Sequence, residues 1–161
     1  MLALVRDKKP ASTSMPAPWA SPLIAVQLFP EQTNYIKKLH GYLVTLAEIH
    51  LDERDYTAAG QLAGKLLTLH PSAWEADYDA ACILSRCLTV AEKDSRLPES
   101  RRRELAQSFG DQAVERLRVA IAKGFKDAGH VKKDKDLDGL RPRQDFRNLL
   151  TELEKKAKTA R

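Results

Sequence analysis

His40-Gly-Tyr-Leu-Val-Thr-Leu-Ala-Glu-Ile-His50-Leu-Asp-Glu-Arg-Asp-Tyr-Thr-Ala-Ala-Gly60-Gln-Leu-Ala-Gly-Lys-Leu-Leu-Thr-Leu-His70-Pro71 is the stretch that decides how this chain folds. Leu43, Leu46 and Ala47 recur at helical spacing. Asp55-Tyr56 interrupts the run, and Ala59, Leu62, Ala63, Leu66 and Leu67 resume it until Pro71 stops it. The spacing predicts two amphipathic helices joined by a tight polar turn, the second running from about Tyr56 to Leu69. Such a pair cannot bury its apolar faces alone and must stack on neighbours. That requirement points to a binding module rather than a catalyst.

Outward from this hairpin the helical register continues both ways. Tyr35, Ile36, Leu39, Tyr42, Leu43, Leu46, Ala47 and His50 form one stripe, so the first helix starts near Glu31 and ends near Asp52. On the other side, Ser72-Ala-Trp-Glu75 matches a capping box, in which the Ser hydroxyl and the Glu carboxylate satisfy each other's backbone N–H groups. It opens a helix carrying Trp74, Tyr78, Ala81, Cys82, Ser85 and Leu88. A polar insert from Glu92 to Ser100 follows, with Pro98 suited to a first helical turn. The next helix carries Leu105, Phe109, Ala113, Leu117, Ala120 and Ile121, and Gly124 ends it. From Phe125 to Pro142 the chain reads as irregular. A last amphipathic helix sets Phe146, Leu149, Leu150 and Leu153 on one face as a cap, and the basic tail from Lys155 to Arg161 should fray. Residues 1–30 form a different zone: Pro10 to Pro22 is rich in proline and serine and reads as a disordered linker. The expected organisation is a linker over 1–30 and one all-α helical-repeat domain over 31–158.

Composition agrees with that class. The 161 residues suffice for one domain with a modest core. Aromatic residues make up 6% and charged residues 30% of the chain, a balance that suits helices better than sheets. The formal charge is +5, but the charges are interleaved, as on a solvated helical surface. Arg101-Arg102-Arg103 reads as a solvated helix start, and no aromatic interleaving supports stacking on single-stranded nucleic acid. No run approaches the ~20 apolar residues of a membrane span. Met1 to Val5 is broken at once by Arg6-Asp7-Lys8-Lys9 and lacks the apolar core of a signal peptide. Cys82 and Cys87 fall on different sides of one helix, too far apart for a bridge, and no second Cys/His pair stands at zinc-ligand spacing. Reduced thiols imply a cytoplasmic setting.

The hairpin from His40 to Pro71 resembles a tetratricopeptide repeat (TPR), a pattern of about 34 residues. Leu43 stands for the first large residue, Leu46-Ala47 for the large–small pair, Asp55-Tyr56 for the acidic-aromatic turn, Ala59 for the small residue of the second helix and Pro71 for the closing proline. The sequence departs from the pattern at His50, Ala63 and Leu66. From Trp74 to Leu153 the chain is similar to the C-terminal TPR region of certain bacterial Hanks-type Ser/Thr protein kinases. The similarity rests on Tyr78-Asp-Ala-Ala-Cys82, Ala113-Val-Glu-Arg-Leu117, Ala122-Lys-Gly-Phe-Lys-Asp127, Asp136-Leu-Asp-Gly-Leu-Arg141 and Asp145-Phe-Arg-Asn-Leu-Leu150.

The resemblance implies a non-catalytic module that binds a protein partner. The first helix of each TPR unit lines a concave face, which makes Val44, Glu48, Leu51, Tyr78, Asp79 and Ser85 the candidate partner-binding residues. Glu48 and Asp79 are unsuited to gripping a partner's C-terminal carboxylate. The sequence holds no Gly-rich phosphate loop, Val-Ala-Ile-Lys strand, His-Arg-Asp loop or Asp-Phe-Gly, so kinase chemistry is not expected here. No nucleophile elbow is present and the four histidines are scattered, so no catalytic residue and no cofactor is expected. Two rival readings remain, a nucleic-acid-binding helical protein and a calcium-binding module. Asp134, Asp136, Asp138 and Gly139, with Asp145 at the twelfth position, follow the calcium-loop pattern. Against it stand Arg141 and Pro142, the glycines at 124 and 129, and the alternative role of Leu137 and Leu140 as core plugs in a turn. Finally, nothing caps the N-terminal end, so the helix from Tyr35 to His50 should expose apolar surface and favour self-association.

Overall fold

The structure, a computed structural model, describes residues 30–159, with side chains from Asn34 to Lys158. The linker expected over 1–30 therefore lies almost wholly outside the described residues. The chain forms helices α1 (Pro30–Asp52), α2 (Tyr56–Leu69), α3 (Trp74–Glu92), α4 (Glu99–Ala122), α5 (Ala128–Lys133), a 3₁₀ helix (Lys135–Leu140) and α6 (Gln144–Thr159). Among the described residues there is no strand, and the protein is all-α.

Helices α1 to α4 pack in chain order, each on the next, and α1 also touches α3. The short turns between them make neighbours antiparallel. The turn after α1 closes with two bonds, Asp55 N–H to His50 O (2.7 Å) and Arg54 N–H to Leu51 O (3.0 Å). They place Arg54 at φ 61°, in the left-handed region. Asp55 then caps α2 by accepting from Ala58 N–H (3.0 Å). Small residues let the helices approach: Ala47, Ala59 and Ala81 are all fully buried. No helix among the described residues is long and apolar enough to cross a membrane.

Three expectations are corrected. Ser72 does not cap α3. That helix starts at Trp74, with extended Ala73 at its cap and no side-chain cap bond. Ser72 instead lies in a turn that Ala73 N–H closes on His70 O (3.2 Å). The insert after α3 is not merely polar padding. Asp94 in it is only 6% exposed and accepts hydrogen bonds from Arg96 and from the Tyr56 hydroxyl (3.2 Å). Those bonds, Arg96's first, hold its carboxyl far below the usual carboxylate range. Nor is the chain after Phe125 irregular. Asp127 caps α5 through His130 N–H (2.8 Å), and Asp134 caps the 3₁₀ helix through Asp136 N–H (2.9 Å).

That 3₁₀ helix lies against α3. Leu137 and Leu140 are fully buried there, as the turn reading expected. Gly139 permits the approach: a Cβ at that position would stand 2.9 Å from the Ser85 carbonyl oxygen and 2.6 Å from Thr89 Oγ1. Helix α6 then closes the far end on α4 and α5, burying Phe146, Leu149 and Leu153. At the near end α1 leaves Tyr35, Tyr42, Leu46 and Ile49 exposed.

Candidate functional site

The docked segment from α5 to the 3₁₀ helix turns one face of α3 into the floor of a cleft. The cleft holds about 150 Å³. Val44 and Glu48 line it from α1, Tyr78, Asp79, Cys82, Ile83 and Arg86 from α3, and His130, Asp134 and Asp136 from the docked segment. The i, i+4 spacing of Val44 and Glu48 puts both on one side of α1, and Tyr78, Cys82 and Arg86 follow the same spacing on α3.

Asp134 is the hub. Its Oδ2 accepts from the Tyr78 hydroxyl (2.7 Å) and from Cys82 Sγ (3.7 Å), and His130 Nε2 lies 3.6 Å away. The Tyr78 ring is wedged between Phe125 (centroids 4.8 Å apart) and His130 (5.5 Å). Burial, then the bond to Asp134, raises the Tyr78 phenol well above its ordinary range. Burial and the Asp134 charge likewise push the Cys82 thiol up. Asp136 is raised, first by burial and then by neighbouring carboxylates against the opposing pull of Arg86.

Arg86 sits among three carboxylates without hydrogen-bonding any of them closely. Its nitrogens lie 3.9 Å from Glu48, 3.7 Å from Asp52 and 3.9 Å from Asp136. Asp79 is drawn the other way, accepting from His40 Nε2 at 2.6 Å. That pair borders a second pocket of about 390 Å³ shared with Lys37, His70 and Glu75.

Of the six residues expected on the partner face, four meet in the cleft: Val44, Glu48, Tyr78 and Asp79. Tyr78 does so from a buried position, 5% exposed, because the docked segment covers it. Leu51 (4%) and Ser85 (0%) are core residues and are not exposed as expected. Leu51 belongs to the buried core, and Ser85 lies beneath the 3₁₀ helix. The Ser85 hydroxyl has no hydrogen-bond partner. The oxygens of the calcium pattern do not come together as a twelve-residue loop. Asp138 is paired with Arg141 (2.6 Å) and Asp145 with Arg143 (2.7 Å), while residues 135–140 wind as a 3₁₀ helix. The arginines after Pro98 pair locally, Arg101 with Glu104 and Arg103 with Glu99.

Sequence reasoning singled out neither Arg86 nor His130 and gave Cys82 no part in a site. Cys82 and Asp134 stand 52 positions apart, and no local signal links such positions in a single sequence. No family model, curated protein or solved structure matches the chain.

Proposed function

We propose that this chain is a non-catalytic, TPR-like protein-interaction module of the cytoplasm, akin to the C-terminal repeat region of bacterial Hanks-type Ser/Thr protein kinases. The observation that supports it is the cleft between α1 and α3, the first helices of two successive pairs. There Val44, Glu48, Tyr78 and Asp79 come together from positions the repeat reading assigns to the partner face. Four carboxylates line the cleft against one guanidinium. A partner segment bearing lysine or arginine fits that charge. The uncovered stripe on α1 is the surface for self-association, a second mode of the same module.

A peptide display library panned on the immobilised full chain tests the reading. Enriched peptides should be basic, and Glu48→Lys should weaken them at least about tenfold, since like charge across a contact costs several kcal/mol. Gln61→Lys on α2, away from the cleft, should leave them unchanged. Enrichment of peptides without basic residues, or binding indifferent to Glu48→Lys, would overturn it.

A further inference from the structure

The cleft floor holds a donor set that a peptide site does not need. Cys82 Sγ and carboxylate oxygens of Asp134 and Asp136 all lie within 4.8 Å of one another. His130 Nε2 is 3.6 Å from Asp134 Oδ2, and Cys82 Sγ is 3.7 Å from the same oxygen. A tetrahedral zinc ion with Zn–S of about 2.3 Å and Zn–N or Zn–O of about 2.0 Å has ligand-to-ligand edges of roughly 3.3–3.5 Å. The two measured separations are within a few tenths of an ångström of those edges. The Cys82 sulfur and the His130 nitrogen thus each stand about one coordination edge from the same Asp134 oxygen, and His130, outside the tight group of three, closes on the ion by a side-chain rotation. Asp136 completes a sulfur, nitrogen and two-oxygen set.

We propose that Cys82, His130, Asp134 and Asp136, in the floor of the same cleft, form a binding site for a divalent transition-metal ion of the zinc class. The donor chemistry selects the ion. Thiolate and imidazole favour zinc or cobalt over calcium, which takes oxygen ligands in greater number. The surroundings fit as well. Cys82 is 8% exposed, so its sulfur meets the ion away from bulk water. The Tyr78 hydroxyl donates to the same Asp134 Oδ2 (2.7 Å) and Asp136 N–H donates to its Oδ1 (2.9 Å), so that carboxylate is held in a fixed orientation. Asp127 caps α5 at His130 N–H and fixes the turn that carries the imidazole. Arg86 stays 3.9 Å from Asp136 Oδ1, too far to hold that carboxylate in a close hydrogen bond. On binding, the Cys82 S–H proton passes to solvent and His130 binds as the neutral ring, so one proton leaves per ion. Two carboxylates, one thiolate, the ion and Arg86 then sum to neutrality.

Co²⁺ and Zn²⁺ titrated into the reduced full chain test the site, read by absorbance and calorimetry. One ion per chain should bind. Cobalt should give a near-ultraviolet sulfur-to-metal charge-transfer band and the strong visible bands of four-coordination, and excess zinc, but not calcium, should bleach both. Cys82→Ser should abolish the charge-transfer band. His130→Ala and Asp136→Asn should each weaken binding at least about tenfold. Cys87→Ser, Asp138→Asn and Asp145→Asn should change nothing. No saturable uptake, a six-coordinate spectrum without the sulfur band, or a band that survives Cys82→Ser would overturn the site. If Cys82→Ser fails to fold by circular dichroism, His130→Ala decides, because that side chain is 55% exposed and can be removed without disturbing the core.

Discussion

Helices α1 and α6 both carry an apolar stripe at the ends of the stack, and they treat it in opposite ways. In α6, Phe146 is 2% exposed and Leu153 3%, while the helix's outer face is charged. Arg143, just before it, ties the start of the helix to Asp111 of α4 and to Asp145. In α1, Tyr35 is 66% and Tyr42 69% exposed, on a face turned away from α2 and α3. Helix α6 is built as an end. Among the described residues, helix α1 is built like an interior helix without a neighbour on that face, since a terminal unit of a repeat stack needs a polar outer face.

Truncation breaks that comparison most sharply. Phe146→Ala should cost about 3–5 kcal/mol in denaturant unfolding, the usual loss for emptying a buried aromatic site. Tyr42→Ala should change stability by less than about 0.5 kcal/mol in dilute solution, as exposed positions do. In sedimentation at high concentration the order inverts: the parent chain should self-associate and Tyr42→Ala should not. Equal stability losses for the two variants would mean that the α1 stripe is covered.

Next in size is the joint between the ends. Ala59 is fully buried in the hairpin. Ala59→Leu should destabilise by about 1–3 kcal/mol through overpacking. A leucine at the neighbouring exposed position, Thr57→Leu, should be close to silent. A melting temperature unmoved by Ala59→Leu would remove the reason for treating α1 and α2 as one closely packed pair.

What was legible in the sequence follows from length. Helices of fourteen residues or more declare themselves by repetition, and the reading placed α2 at its observed limits and α1 within a residue at its end. The six-residue α5 and the 3₁₀ helix complete too few turns for periodicity to register. Their signals were the caps Asp127 and Asp134, and the Asp134–Asp138 spacing invited a calcium reading instead. Two expected exposures failed for the same reason. Tyr78 and Ser85 were placed in the open because the segment that covers them read as irregular. The Ser72 capping box failed because the preceding turn takes one more residue than the motif assumes.

A finer contrast lies in two helix ends with the same hydrogen bonds. After α4, Phe125 N–H reaches Ala120 O (3.0 Å) and Gly124 N–H reaches Ile121 O (3.1 Å), with Gly124 at φ 114°. After α1 the same pair of bonds places Arg54 at φ 61°. A side chain with a Cβ is disfavoured in that region by about 1 kcal/mol or somewhat more. Arg54→Gly should therefore raise stability by about 1 kcal/mol, less what the freer unfolded chain takes back. Gly124→Ala should lower it by a similar amount, although its Cβ would meet open space. If Arg54→Gly lowered stability, the Arg54 side chain would have to contribute more than its backbone costs.

The smallest expected effect separates the two halves by pH. His70, at the end of α2, faces His40, Lys37, Glu75 and Asp79 across the second pocket, its ring 5.9 Å from that of His40. Burial, and next the nearby His40, lower its pKa below the ordinary 6.5. A depressed folded value means the unfolded chain takes up the proton first. The His70 contribution is thus whole above pH 6.5 and is lost as the pH falls from there through the lower folded value. Asp145, in the other half, and Asp94, in the insert after α3, are lowered by arginine hydrogen bonds from an ordinary 3.8, so their contribution begins to fall only in more acidic solution. Between about pH 7 and pH 5 the stability lost should come from the α1–α3 end. His70→Gln should flatten the fall in melting temperature over that window, and Asp145→Asn should leave its slope intact. Equal slopes in the parent chain and His70→Gln would place the titrating group elsewhere.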